Sequence, residues 1–364
     1  MKITCWKWQA VILMAAAALS LTWAGAGWTS SGKTEAGAGS QGAVSSHHPR
    51  ESASEHHSRE SESPGGRPAI TFGDKFYDVA LQGQNVWAVG YFGAIVHSRD
   101  GGATWQRQNA GTFASLLSVS FVNEKAGWIV GDQSLILHTW DGGATWVAQQ
   151  SPATVEKLLK VQFLDEKTGF AVGSYGTILR SDDSGGQWRR LPFEEDVTLN
   201  DLVFLNSLEG WVVGEFDTIL HTGDGGETWE RQNGDGMGQL FGVDFHGKFL
   251  GVAVGTAGKT LRTNDGGKTW TEAAAAESDT LLKVLFSGDT SVLAVGLRGT
   301  VLASSDSGAT WAPVVIPGHY NWLSGMVFDN HGKGVLVGNQ GSILANPSGQ
   351  DRWVQIGMRL SAHP

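Results

Sequence analysis

A Val-Gly pair recurs seven times in this chain at nearly constant spacing, and this repeat limits the folds that the chain can form. The glycines of the pairs are separated by 41 or 42 residues, and a tryptophan follows each of them fifteen residues later. Seven units of one length predict an architecture made of stacked or ring-arranged repeats. The glycines are Gly90, Gly131, Gly173, Gly214, Gly255, Gly296 and Gly338.

Each unit contains four short β-strand patterns. An alternating apolar segment such as LLKVQF comes first, followed by one such as GWIVG, one such as TILHT, and one that opens at the tryptophan. Four strands in about 41 residues are typical of one propeller blade. The sequence therefore predicts an all-β fold, a seven-bladed β-propeller of four-stranded blades at residues 69–364. The segment from Pro68 to Phe72 is a candidate for an extra strand on the last blade, and ring closure stays open.

The turn before each tryptophan follows the pattern S-x-D-x-G-x-T-W or a near variant, known as an Asp-box. Its aspartate accepts backbone hydrogen bonds across the turn, its glycine takes a conformation that a β-carbon opposes, and its tryptophan covers the hairpin. The seventh copy has Ser348 in place of the aspartate. A single active site has no use for six equivalent carboxylates, so we interpret these residues as structural. They are Asp100, Trp105, Asp141, Trp146, Asp183, Trp188, Asp224, Trp229, Asp265, Trp270, Asp306, Trp311 and Trp353.

The residues after each Val-Gly pair differ between repeats, which makes them the best candidates for a specific function. In a four-stranded blade, these turns share a face with the linkers between blades. Aromatic residues are frequent among them, and they predict either a surface for a protein or glycan partner or the filling of the channel mouth. The predicted partner-binding residues are Tyr91, Phe92, Asp132, Tyr175, Glu215, Phe216 and Arg298.

A second repeated position directly precedes the Asp-box serine or threonine. It holds His97, His138, Arg180, His221 and Arg262 in five of the repeats. A metal or anion ring is one interpretation, but residues on the outer strands of different blades lie too far apart to share an ion. We therefore expect a solvated strand face, no metal site and no cofactor.

The first 26 residues have the three parts of a secretory signal: Lys2 and Lys7, an apolar run from Ala10 to Leu21, and small residues before Ala26. We expect cleavage there and export to the periplasm, or to the lumen side in a photosynthetic host. An uncleaved membrane anchor is the alternative. Residues 27–68 are rich in Gly, Ser, His and Glu, and this composition predicts a disordered linker.

The charge balance and the cysteine count exclude several classes of function. A formal net charge of −10 makes nucleic acid an improbable partner. The only cysteine is Cys5, within the leader, so the mature chain has no disulfide and no thiolate chemistry. We expect a monomer.

Two segments, GTILRSDDSGGQW from residue 176 and GWVVGEFDTILHTGDGGETW from residue 210, resemble the photosystem II stability/assembly factor family. The resemblance covers Ile70 to Gly357 and is specific for the blade type and number. It implies a non-enzymatic helper that binds a membrane protein on the lumenal or periplasmic side and assists assembly of a membrane complex. Photosynthetic members of the family are similar to one another in carrying an arginine-rich patch on one face. In this chain, the residues from Ile70 onward include 20 basic and 31 acidic ones.

Two other functions remain as alternatives. Asp-box propellers include sialidases and other glycosidases. Sialidases are similar to one another in having six blades and an arginine trio, and neither feature is found in this sequence. The second alternative is a glycan-binding protein of the cell envelope. The linkers between repeats are of ordinary length, with no insertion long enough for an active-site lid, so we expect no enzymatic activity.

Overall fold

The computed structural model describes residues 68–152, 156–233, 236–273, 278–346 and 352–356, all within one compact unit. Their strands form seven separate four-stranded sheets, each antiparallel and each in simple chain order. No α-helix occurs within these ranges. The seven-bladed β-propeller predicted from the repeat is confirmed. The leader and nearly all of the linker lie outside the described residues.

Each blade uses four consecutive strands, numbered β1 to β28, so that blade 1 is β1 to β4 and blade 7 is β25 to β28. The first, innermost strands are β1 Phe76–Gln82, β5 Leu116–Phe121, β9 Leu158–Phe163, β13 Leu199–Phe204, β17 Leu240–His246, β21 Leu281–Phe286 and β25 Leu323–Phe328. The second strands are β2 Asn85–Gly90, β6 Gly127–Gly131, β10 Gly169–Gly173, β14 Gly210–Gly214, β18 Leu250–Gly255, β22 Val292–Gly296 and β26 Gly334–Gly338. The third strands are β3 Ala94–Ser98, β7 Ile136–Thr139, β11 Ile178–Ser181, β15 Ile219–Thr222, β19 Thr260–Thr263, β23 Val301–Ser304 and β27 Ile343–Asn346. The outer strands are β4 Gln106–Asn109, β8 Val147–Ala148, β12 Arg189–Arg190, β16 Glu230–Asn233, β20 Thr271–Glu272, β24 Ala312–Pro313 and β28 Val354–Gln355.

The glycine of each Val-Gly pair is required by a close approach of the backbone. A β-carbon on Gly214 would lie 2.2 Å from the carbonyl oxygen of Thr198, in the linker that precedes the blade. The same carbonyl accepts the N–H of Glu215 at 3.0 Å. Equivalent contacts occur in all seven blades, so the repeat marks the point where each incoming linker crosses the end of a second strand.

The hydrophobic core lies between the blades. Each cluster of buried side chains combines residues of two neighbouring blades, and the largest fully buried side chains are Trp87, Trp128 and Trp211 of the second strands. Trp128 stacks on Phe163 of the next blade with 3.5 Å between ring centroids. The Asp-box Trp188 meets the same phenylalanine edge-on. This packing of sheet against sheet holds the ring together.

The ring closes through packing of blade 1 against blade 7. Strand β1 packs on β25, and Ser324 Oγ donates to the carbonyl oxygens of Phe76 and Tyr77 at 3.2 and 3.0 Å. The segment from Pro68 to Phe72 forms no strand, and its Ile70 is buried in the cluster between these two blades. The segment before blade 1 therefore supports ring closure through the buried Ile70 side chain and adds no strand to blade 7.

Candidate partner-binding face

The turns between second and third strands and the linkers between blades form one face of the ring, which we call the upper face. The bonds from the linker carbonyls to the residues after the Val-Gly pairs place both at this end. The Asp-box turns and the turns between first and second strands form the opposite, lower face. Gly225 N, for example, donates to Leu208 O across the lower face at 2.8 Å.

The upper-face turns hold large side chains in a backbone conformation that favours glycine. Both central residues of every one of these turns have positive φ, including 58° at Phe92, 55° at Tyr175 and 58° at Phe216. Such two-residue hairpin turns prefer Asn-Gly or Gly-Gly, and a residue with a β-carbon costs about 1–2 kcal/mol there. Strain of this kind persists mainly where a side chain has a function. The three rings are 52–61% exposed.

Tyr91 and Phe92, predicted from sequence, form an aromatic cluster on blade 1. Their ring centroids are 6.0 Å apart, and Phe92 lies 4.9 Å from Phe113 of the following linker. The ammonium of Lys75 lies 5.2 Å from the centroid of the Tyr91 ring. All three rings are exposed, so they present one continuous apolar surface.

The other predicted residues lie on the same face but in different blades. Tyr175 and Phe216 are exposed on blades 3 and 4. The polar members are held by local contacts: Asp132 pairs with Lys157 at 3.2 Å, Glu215 accepts the N–H of Thr198 at 2.7 Å, and Arg298 pairs with Asp279 at 3.3 Å. The aromatic residues are therefore better candidates for direct contact with a partner than the charged ones.

The sequence analysis missed several exposed apolar residues of the linkers, which lie on the upper face beside the turns. Met237 is 95% exposed and Tyr320 is 81% exposed. The available signal was a large apolar side chain within an otherwise small or polar linker. The missed residues are Phe72, Phe113, Met237, Val315 and Tyr320.

The lower face is organised by the Asp-boxes. In the fourth copy, Asp224 accepts hydrogen bonds from Thr222 Oγ1, Thr228 N and Thr228 Oγ1 at 2.8, 2.9 and 2.6 Å. The bonds from Thr228 lower the pKa of Asp224 to about 2. Three more aspartates, Asp100, Asp265 and Asp306, share this arrangement and a pKa of about 2. Their carboxylates are engaged in closing the turns.

The histidines before the Asp-boxes were expected on a solvated strand face, and for His97 and His138 this expectation is wrong. Both are buried, and each imidazole stacks on the tryptophan of the neighbouring second strand, with 4.5 Å between the centroids of His97 and Trp87. Burial lowers the pKa of both to about 4, so they are neutral at physiological pH. Within the described ranges, no group of His, Cys, Asp and Glu has a metal-binding arrangement.

The third residues of the inner strands form a belt of charges in the central channel. Lys160 Nζ lies 2.9 Å from Asp78 Oδ2, and Lys283 Nζ lies 2.7 Å from Asp201 Oδ2. Each lysine reaches past the neighbouring blade to an aspartate two blades away. This is possible because the blade between them contributes only a small residue, such as Ser118 between Lys160 and Asp78. Burial alone would raise the pKa of Asp78, but the two lysines outweigh it and hold that pKa below 3.8.

A cavity of about 260 Å³ adjoins this belt and includes Asp244 in its lining. Burial raises the pKa of Asp244 to about 6, although the N–H of Phe286 donates to its Oδ2 at 2.7 Å. An acid with a raised folded-state pKa destabilises the fold as it ionises. Stability is therefore expected to fall as the pH rises from about 4 to about 6.

Replacing Asp244 by asparagine is expected to raise the free energy of unfolding at pH 7.5 by about 1–2 kcal/mol. The full shift would correspond to about 3 kcal/mol, but channel water that reaches the side chain reduces it. At pH 4 the variant and the parent should be nearly equal. Denaturant unfolding at both pH values measures this, with the exposed Asp289→Asn on the lower face as the control. An equal gain at both pH values would contradict the titration of Asp244.

Comparison with known proteins identifies the relatives of this propeller. A family model described as the photosynthesis system II assembly factor YCF48 matches residues 58–151 and 148–237. Over these residues the chain is similar to the photosystem II assembly factor family. The resemblance stated from the repeats is confirmed, and the matched residues include blades 1 to 4 with the predicted aromatic residues.

Solved structures with the same fold include two of YCF48 proteins. The structure of YCF48 bound to a D1 peptide is 24% identical, with a TM-score of 0.66 over 76% of this chain and 94% of that one. YCF48 from Cyanidioschyzon merolae is 19% identical, with a TM-score of 0.64 over 75% of this chain and 96% of that one. The GH74 enzyme of Niastella koreensis is 13% identical, with a TM-score of 0.61 over 76% of this chain and 52% of that one. No curated protein matches the sequence significantly.

Proposed function

We propose that this chain is an exported, non-enzymatic propeller that binds a membrane protein through its upper face and assists the assembly or stability of a membrane complex. The observation that carries the proposal is the concentration of exposed apolar side chains on that face. Among the residues that the structure describes, nine such side chains lie in its turns and linkers: Phe72, Tyr91, Phe92, Phe113, Tyr175, Phe216, Met237, Val315 and Tyr320. The lower face has Trp140, Leu208 and Phe249.

An exposed apolar surface of this extent is typical of a binding site for another protein. The strained turns support this interpretation, because they hold aromatic rings outward at the cost of backbone free energy. The match to the assembly factor family supports an assembly role, and a propeller of the same fold has been solved with a bound peptide. The leader at residues 1–26 supports export to the periplasm, or to the lumen side of a photosynthetic membrane.

The described residues contain no helix long and apolar enough to cross a membrane. We propose that contact with the membrane complex is made by the upper face. In the alternative case of an uncleaved leader, the leader would be a further means of attachment. Linkers of ordinary length give no lid over the channel, which supports a binding role over catalysis.

Crosslinking and detergent co-purification of the tagged chain from whole membranes test this function. We expect one membrane complex to be enriched with the parent chain and to fall at least tenfold for the triple variant Tyr91→Ala, Phe92→Ala and Phe216→Ala. The rings are exposed, so folding should be retained, as thermal unfolding can verify.

The matched control removes apolar side chains from the opposite face, with Leu208→Ala and Phe249→Ala. This control should recover the complex as the parent does. Failure to enrich any membrane protein, or equal recovery with the upper-face triple variant, would contradict the proposed function.

A further inference from the structure

The charges of the upper face are arranged differently from an arginine-rich patch. Among the described basic side chains that belong to this face or reach it from the outer strands, six form an ion pair with an acid of the same face, and Lys75 lies against the Tyr91 ring. The pairs are Arg107 with Asp74, Lys157 with Asp132, Arg190 with Glu156, Arg231 with Glu195, Lys259 with Asp217, and Arg298 with Asp279. The positive charge available to an acidic partner is therefore largely neutralised.

Acidic side chains are exposed between the aromatic turns of blades 3 and 4. The linker of these blades contains Glu194 and Asp196, both exposed. It is fixed on one side by the bond from Gly176 N to Val197 O at 2.7 Å, beside the Tyr175 ring, and on the other by the bond from Thr198 N to Glu215, beside Phe216. The linker that carries these two carboxylates is thus held next to both aromatic turns.

We propose that the upper face at blades 3 and 4 binds an apolar segment of the membrane-protein partner that carries a lysine or arginine side chain. This inference rests on the proposed function and specifies the chemistry of its partner. A cation placed there meets ring faces and carboxylates together, and both attract it. An acidic segment at blades 3 and 4 would meet like charge, because the described arginines there, Arg190 and Arg231, are already paired with acids. Like-charge contacts disfavour binding.

The chemistry differs from what the family resemblance implies. An arginine-rich patch would select an acidic segment, whereas here the arginines of blades 3 and 4 are held by Glu156 and Glu195. The two possibilities predict opposite orders of affinity for peptides that differ only in charge.

Binding of three fluorescent peptides to the full chain tests the inference. The peptides share one apolar 15-residue sequence and carry two lysines, two glutamines or two glutamates at its centre. The lysine peptide is expected to bind at least tenfold more tightly than the glutamate peptide, with the glutamine peptide between them. Raising the salt concentration should reduce this difference.

A pair of charge-neutralising variants locates the effect. Glu194→Gln with Asp196→Asn should weaken binding of the lysine peptide about fivefold and leave the glutamine peptide almost unchanged. Glu124→Gln with Asp289→Asn removes the same charge from exposed positions of the lower face and should have no effect. If the lower-face variant weakened binding of the lysine peptide as much as the upper-face variant, the assignment to blades 3 and 4 would be overturned.

The outcome is separable from that of the co-purification. Equal affinity for all three peptides, tighter binding of the glutamate peptide, or no binding of any of them would overturn the charge inference. The proposed function would still stand if the aromatic triple variant loses the membrane complex. It fails on its own terms if no complex is captured.

Discussion

Replacing Trp211 by alanine is expected to lower the free energy of unfolding by about 3–5 kcal/mol. Trp211 is fully buried between blades 4 and 5, stacked on Phe245 with 3.8 Å between ring centroids. Its Nε1 donates to Gln232 Oε1 at 3.2 Å. The truncation removes an inter-blade stack and leaves a cavity that two rigid sheets cannot close. Denaturant unfolding at equilibrium measures the loss.

Trp229→Ala is the comparison, because it removes an Asp-box tryptophan of the same blade. Trp229 is only partly buried, and its ring meets Phe204 edge-on at 6.3 Å between centroids. We expect a smaller loss, about 1–3 kcal/mol. A loss at Trp229 equal to or larger than that at Trp211 would show that the Asp-box tryptophans, and not the second-strand residues, are the main source of stability.

The repeat in the sequence was sufficient to predict the fold, since a fixed period of four strand patterns can close into only a few architectures. It was less informative about the core. The sequence analysis assigned a structural role to the Asp-box tryptophans, which recur in every unit. Trp87, Trp128 and Trp211 occur in three units only, and their stacking partners lie in the next blade, so the pattern of a single unit does not show their burial.

The candidate site was predictable to the extent that it follows the repeat. Tyr175 and Phe216 occupy a turn position that the Val-Gly pairs identify, and the structure places both on the upper face. Phe113 and Tyr320 lie in linkers that share neither length nor sequence. Alignment of the repeats therefore does not assign them to a common position. The positive φ values of the turn residues could not be predicted from the sequence either, because large side chains stand at positions where glycine or asparagine is usual.

The channel belt was missed for a related reason. Its position in the repeat holds Asp78, Ser118, Lys160, Asp201, Gly242, Lys283 and Gly325, which look unrelated when the units are compared. The ion pairs connect blades 1 with 3 and 4 with 6. Such pairs become visible only when the ring is closed and the third residues of all inner strands face one axis.

Lys160→Met is expected to lower the free energy of unfolding by about 3–5 kcal/mol at pH 7.5. Methionine keeps most of the side-chain volume but leaves the buried Asp78 carboxylate without its directly paired cation. Asp78 would retain the bonds from Ser118 Oγ at 2.7 Å and from Val119 N at 3.2 Å, which do not neutralise its charge. The pair therefore matters mainly because a single buried charge is much costlier than two opposite ones.

The pH dependence separates this charge effect from a packing defect. In the parent, the lysines hold the pKa of Asp78 below 3.8, so its contribution to stability is present above that pH and is lost as the pH falls through the lowered value. Without Lys160, only the more distant Lys283 opposes the effect of burial on that pKa, so the pKa rises and the carboxyl can protonate at a higher pH. The variant should therefore be most destabilised relative to the parent above about pH 6, with the difference shrinking towards pH 3.

Adding Asp78→Asn to Lys160→Met should recover at least half of the loss at pH 7.5, because no unpaired ion then remains at this position. A loss that is independent of pH, or a double variant no more stable than Lys160→Met alone, would assign the effect to packing instead of charge.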